Sequence, residues 1–158
     1  MFITFSMAVM RMSGAIGFNP LFGKSNFPVK IRAYFVFALA LLLYLCADQT
    51  KIAYPESMAE YILMLAGELF LGAVLAFAME LAFLTIRFAS SIMDYSMGLS
   101  MAQVYDPQYG TQSTVSSGIY YAFMVLIFFA SNSHLRLLAL FYQSVQLIPF
   151  GKVTFNPM

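Results

Sequence analysis

The sequence predicts an all-α integral membrane protein, and three observations carry that prediction. Residues of the Ala, Val, Ile, Leu, Met, Phe, Trp, Tyr and Cys class make up 61% of the 158 residues, and charged residues only 9%, against about 25% in soluble proteins. Eight basic and seven acidic side chains cannot cover a water-facing surface. In hydrocarbon, apolar side chains face lipid freely and a helix satisfies its own backbone polar groups. Third, the apolar runs lack the alternating polarity, in segments of about ten residues, that marks a membrane barrel. The length fits a single membrane-embedded unit over residues 1–158. The net charge of +1 singles out no acidic partner, and no basic cluster suggests nucleic acid; lipid is the partner that the composition implies.

The first apolar segment runs from Phe2 to about Phe22 and is interrupted only by Arg11. With the arginine inside the run and no small-residue cleavage site, a removable signal peptide is disfavoured. Gly23-Lys24-Ser25-Asn26-Phe27-Pro28 should end this helix. The second segment, Ala33 to Ala47, is the purest, and Asp48 to Pro55 forms a polar connection. A third helical region begins near Glu56 and meets no strong breaker until Pro107. Roughly fifty residues would make a rod of about 75 Å, against a hydrocarbon core of about 30 Å. The region must therefore bend, break or turn back, near Ser90-Ser91 or Gly98, or project outside the bilayer. Residues 106–118 are rich in Gln, Ser, Thr and Gly and predict a loop. Ile119 to Ala130 and Leu135 to Ile148 follow, ending at Pro149-Phe150-Gly151.

Several runs fall short of the roughly 17–25 residues a lone spanning helix needs. Either neighbours shield polar residues within longer helices, or the helices lean as hairpins inside a larger assembly. Lys24, Lys30 and Arg32 place the first connection on the cytoplasmic side by the positive-inside rule.

Glu80, Arg87 and Asp94 recur every seventh residue, which keeps them on one helical stripe with about 20° of drift per step. Neighbours on that stripe lie about 10 Å apart along the axis, too far to pair with each other. Each therefore meets a partner on another helix or water in a channel, since a charge facing lipid is costly. Glu68 is a fourth such charge, about 120° off the stripe. Pairing groups that fix assembly are the leading reading; pore lining and proton relay stay open. Met93, Met97 and Met101 form a second ladder, suited either to helix packing or to a deformable constriction. Ala66, Gly67, Gly72, Ala73, Ala76 and Ala78 favour close helix approach. His134 suits a helix-end hydrogen bond better than a metal site, for no second histidine exists. Cys46 is the single cysteine and reads as a packing residue. No nucleophile–base arrangement, phosphate-cradling loop or paired-carboxylate motif suggests an enzyme.

Taken in order, these motifs resemble the FliR/SctT family, the export-gate subunits of flagellar and injectisome type III secretion systems. The opening pattern is Arg11-Met12-Ser13-Gly14, Pro20-Leu21-Phe22-Gly23 and Pro28-Val29-Lys30-Ile31-Arg32. Met97-Gly98-Leu99-Ser100-Met101-Ala102 running into Asp106-Pro107-Gln108-Tyr109-Gly110 is the central match. Asn132-Ser133-His134-Leu135, with Ser144 and Leu147-Ile148-Pro149-Phe150-Gly151, closes it. Each is weak alone; their order and spacing make the combination specific.

The resemblance implies a non-enzymatic subunit without cofactors, more in keeping with the flagellar than the injectisome system. Such a subunit joins FliP- and FliQ-like proteins in a ring of leaning helical hairpins around a protein-conducting pore. It implies the bacterial inner (cytoplasmic) membrane, the flagellar basal body, FlhB-like and FlhA-like neighbours, and unfolded proteins as cargo. The family's pore plug maps to about Gln103 to Ser117, with Gln103, Asp106, Pro107, Gln108, Tyr109, Gly110, Thr111, Gln112 and Ser113 as its residues. Composition alone reads this stretch as an exposed connector. In two respects the chain departs from the pattern. Ser133 stands where the family has glycine before the histidine, which disfavours a tight turn there. Family members also continue beyond Pro-x-Gly into a further hydrophobic region, so the chain corresponds to their N-terminal part. The rival reading is a small polytopic secondary transporter or ion channel that uses Glu68, Glu80, Arg87 and Asp94; a second is a purely structural membrane subunit.

Overall fold

The computed structural model describes residues 2–21, 28–46, 55, 57–106 and 111–152. Helix α1, Phe2–Gly17, stops before the expected Phe22. Pro20 disfavours helical backbone at Asn19, and the Asn19 carboxamide oxygen instead accepts the Leu21 N–H at 2.9 Å. Helix α2, Val29–Cys46, starts earlier than Ala33. The Pro28 carbonyl accepts the N–H groups of Ile31 and Arg32 at 3.0 and 3.2 Å. Lys30 and Arg32 are thus part of a helix rather than of the connection before it.

Helix α3, Met58–Ser96, has 39 residues, about 58 Å at the usual rise. Ser57 caps it by accepting the Glu60 N–H at 3.2 Å, and Glu60 also suits the positive end of the helix. No break occurs at Ser90-Ser91. Both hydroxyls donate to the Arg87 carbonyl at 2.8 and 2.9 Å, which leaves the backbone helical. The chain turns at the other expected place, Gly98, whose φ of 75° suits glycine.

A single 3-10 turn, Leu99–Met101, leads into strand β1, Gln103–Asp106, and β2, Thr111–Thr114. The strands are antiparallel, with Gln103 opposite Thr114, Val104 opposite Ser113 and Tyr105 opposite Gln112. The expected irregular loop is therefore a two-stranded hairpin, the one sheet among the described residues of an otherwise helical protein. Its expected last residues, 115–118, already belong to helix α4, Val115–Ala130. Helix α5, Ser133–Leu147, follows at a 70° bend. The tight turn that Ser133 disfavoured is made one residue earlier. Asn132 adopts φ 55°, a left-handed conformation that asparagine tolerates better than most residues.

Helix α1 sits at the centre against α2 and α3. Its crossing with α3 is backbone to backbone. A Cβ on Gly14 would collide with the Leu69 carbonyl oxygen, and one on Gly72 with the Arg11 carbonyl oxygen. Of the small residues on α3, Gly67, Gly72 and Ala76 are buried and Ala73 half-buried, whereas Ala66 and Ala78 are exposed and mediate no such approach here. Met7, Met12, Ala15, Leu43, Met64 and Phe141 lead the core. By contrast, α2 buries only Ala40 and Leu43, and α4 only Ser117. Helices α2 and α3 are each long and apolar enough to cross a membrane, and the bent pair α4–α5 forms a third span if counted as one. The outward apolar faces are those of an all-α integral membrane protein.

Candidate functional site

Two charged junctions on α3 organise the molecule. The first joins Glu68 to Arg11 of α1. Arg11 Nε donates to Glu68 Oε2 at 2.5 Å, and both side chains are fully buried. Glu68 Oε1 accepts the Gly151 N–H at 3.0 Å. Arg11 Nη2 donates to the Ile148 carbonyl at 3.0 Å, Nη1 lies 3.4 Å from Ser144 Oγ, and the guanidinium sits 4.8 Å over the Phe150 ring. Gly151, at φ 80°, gives the terminal turn the shape that brings its N–H to the carboxylate. One arginine thereby ties α1, α3, α5 and the 148–151 turn together. Breaking such a pair from one side leaves a buried charge uncompensated, at about 3–5 kcal/mol.

Glu68 was singled out in the sequence, whereas Arg11 figured as an interruption and as part of the opening motif, with no partner assigned to it. The signal was present, because a lone arginine inside an apolar helix needs a buried partner.

At the other end of α3, Asp94 is 1% exposed. Its carboxylate faces the hydroxyls of Thr114 and Ser116 and the Ser116 N–H, without closing a hydrogen bond of standard geometry. Thr114, the residue preceding α4, makes no side-chain cap of its own. The acidic group at the N-terminal end of α4 therefore comes from a different helix, where the helix dipole favours it.

Between the two junctions, Arg87 lies 5.5 Å from the Tyr121 ring of α4. Phe83 packs on Tyr121 and Phe128 at 5.7 and 6.3 Å. Glu80 faces a groove of about 520 Å³, shared with Gly17, Phe18, Phe70 and Phe77. The regular sequence stripe thus reaches three environments: Arg87 and Asp94 meet α4, and Glu80 lies near the end of α1.

The methionine ladder does not stand on one helix. Met93 lies on α3, Met97 is its C-cap and Met101 follows the Gly98 turn. All three are exposed, at 49%, 59% and 94%, so they do not pack within this chain. Of the plug residues, Gln103 and Asp106 are on β1 and Thr111, Gln112 and Ser113 on β2, while Pro107, Gln108, Tyr109 and Gly110 lie outside the described residues. Gln103, Val104, Tyr105 and Gln112 are exposed. His134 Nδ1 has no hydrogen-bond partner. The ring packs instead at 5.5 Å on Phe129, in place of the expected helix-end bond. No cluster of metal-ligating side chains occurs among the described residues.

The chain matches the family described as bacterial export proteins, family 1, over residues 2–158. It is similar to the flagellar biosynthetic protein FliR of Bacillus subtilis (strain 168), with 31% identity over 151 residues, covering 94% of this chain and 56% of the relative. The protein of the same name from Escherichia coli (strain K12) is 26% identical, with 94% and 56% covered. That of Borreliella burgdorferi is 28% identical, with 81% and 46% covered. The chain spans about half the length of these relatives.

Proposed function

The chain belongs to the bacterial export proteins of family 1, and from that membership we propose that it serves as a FliR-like subunit of a flagellar type III protein export gate. In this reading it is a membrane component of the export apparatus, assembled with FliP- and FliQ-like subunits in the inner membrane at the basal body. FlhB-like and FlhA-like proteins are its neighbours, and unfolded proteins are its cargo. It performs no catalysis; its work is to build a conduit and to close it.

One observation carries the closing role. An exposed, largely polar hairpin hangs between the end of α3 and the start of α4, beside three exposed methionines, and it is built on the central motif of the resemblance. Asp106 is the one charge on its two strands; the other side chains are neutral and mostly hydrogen-bonding, so the hairpin can lodge in a polar lumen and leave it with little charge to desolvate. Flexible methionines suit a constriction that closes on objects of varying shape.

The charged residues support assembly over transport. Glu68 is closed onto Arg11, Arg87 onto Tyr121, and Asp94 onto the start of α4. A transporter would instead need them to share one aqueous path.

The test replaces Tyr105–Gln112 by a short Gly-Ser turn in the full-length protein. Assembled complexes should form at normal yield and leak ions through the resting membrane. An intact complex with unchanged permeability removes the closing role.

A further inference from the structure

We propose that the groove where α3, α4 and α5 meet is a binding site for one anionic phospholipid, with Arg136 holding its phosphate. The groove has a volume of about 310 Å³. Leu75 and Ala78 of α3, Phe128 of α4 and Leu140 of α5 are among its apolar lining, and Asn19, Ser133 and Arg136 are its polar lining. Arg136 is exposed and forms no ion pair among the described residues. Of the charged side chains described above, Glu68 is committed to Arg11 and Asp94 to α4, so neither serves it.

Arg136 also occupies an unusual place on its helix. It lies in the first turn of α5, which holds no acidic residue and whose N-cap, Asn132, makes no side-chain cap bond. The helix dipole puts partial positive charge at that end, and the guanidinium adds a full one. An anion seated there relieves both. Helix N-termini bind phosphate for this reason, and guanidinium binds it through paired donors.

The rest of the groove selects the kind of anion. Its walls are apolar along three helices, a surface that complements an acyl chain and offers nothing to a freely dissolved ion. In a membrane-embedded chain a guanidinium without a counter-charge is costly, and lipid phosphate is the abundant counter-charge at hand. The Ser133 hydroxyl already bonds that of Ser131 at 2.8 Å, so the cation and the helix end carry the recognition.

The experiment is native mass spectrometry of the full-length protein released from detergent, titrated in turn with phosphatidylglycerol, phosphatidylcholine and inorganic phosphate. The wild-type protein should retain phosphatidylglycerol about tenfold more strongly than phosphatidylcholine, the ratio of one good ionic contact. Arg136→Gln should reduce retention to the phosphatidylcholine level, and Arg136→Lys should keep part of it. Ala78→Phe, which fills the groove and leaves the cation in place, should also abolish selective retention if Arg136→Gln fails to fold. Equal retention of the two lipids by the wild-type protein overturns the proposal, as does unchanged selectivity in either substitution. Displacement by millimolar inorganic phosphate reassigns the site to a free anion and overturns the lipid. Cross-linking of position 136 to a carboxylate of another subunit in the assembled complex does the same.

Discussion

Glu68 and Asp94 are both buried carboxylates on α3, about 39 Å apart along its axis, and the molecule treats them in opposite ways. Glu68 has every donor it needs: a guanidinium that is itself held by a carbonyl and an aromatic ring, and a backbone N–H from the terminal turn. Asp94 has only a loosely placed set of donors at the start of α4, and the neighbouring Thr114 hydroxyl oxygen is buried without a partner. Around Glu68 the helices touch through backbone, at Gly14 and Gly72. Around Asp94 the chain opens into an exposed hairpin and exposed methionines. One helix thus carries a closely satisfied joint and a loosely satisfied one, and on the function proposed above the closing element is the one beside the second.

Substitutions should separate the two ends, and the largest effect falls at the closely satisfied joint. Arg11→Met or Glu68→Leu alone should cost about 3–5 kcal/mol, whereas the double substitution, which removes both charges, should cost far less. Thermal unfolding in detergent reads this, and additive losses would show that the two side chains are not a pair. Next comes Gly72→Ala, whose methyl meets the Arg11 carbonyl oxygen. Overpacking of this kind costs about 1–3 kcal/mol, and the same unfolding assay should register it as lower stability; a neutral result would mean that α1 and α3 do not touch through backbone.

At the loosely satisfied end the effects are smaller and local. Asp94→Ala should loosen the start of α4, which loses the acidic group beside its N-terminal end. Proteolysis should then become faster at the hairpin and the start of α4 while α1 stays protected. Uniform loss of protection would make Asp94 another scaffold residue. Smallest for the fold is replacement of Met93, Met97 and Met101 by serine, within about 0.5 kcal/mol per site, because none packs inside the chain. Resting permeability of the assembled gate should rise even so. Lower stability with unchanged permeability would return these residues to packing.

What the sequence disclosed followed from backbone chemistry. Glycine at position 98, one of the breaks offered for the over-long third region, ended it, and the apolar runs located the other four helices to within about five residues. Which helix lies inside was not legible. Helix α2 is purely apolar after its first turn and mostly exposed, while α1 contains an arginine and is central. In lipid, apolarity no longer separates inside from outside, so the hydrophobic pattern carries no such information. The Arg11–Glu68 pair was half visible, for its members are 57 residues apart and only the fold brings them together. The hairpin was missed because Gln103–Asp106 and Thr111–Thr114 lack the alternating apolar pattern that announces strands. The connection between α4 and α5 was expected, but its tightness was not, because the family's glycine is replaced by Ser133 and the left-handed residue is Asn132 instead.

On the proposed export-gate reading, amide hydrogen exchange on the full-length protein in its membrane assembly, with the conduit at rest and while carrying cargo, tests the contrast most directly. Amides around Arg11 and Glu68 should be equally protected in both states, and those of Gln103–Asp106 and Thr111–Thr114 should exchange about 100-fold faster once cargo passes. A hairpin as protected as α1 in both states would contradict the account.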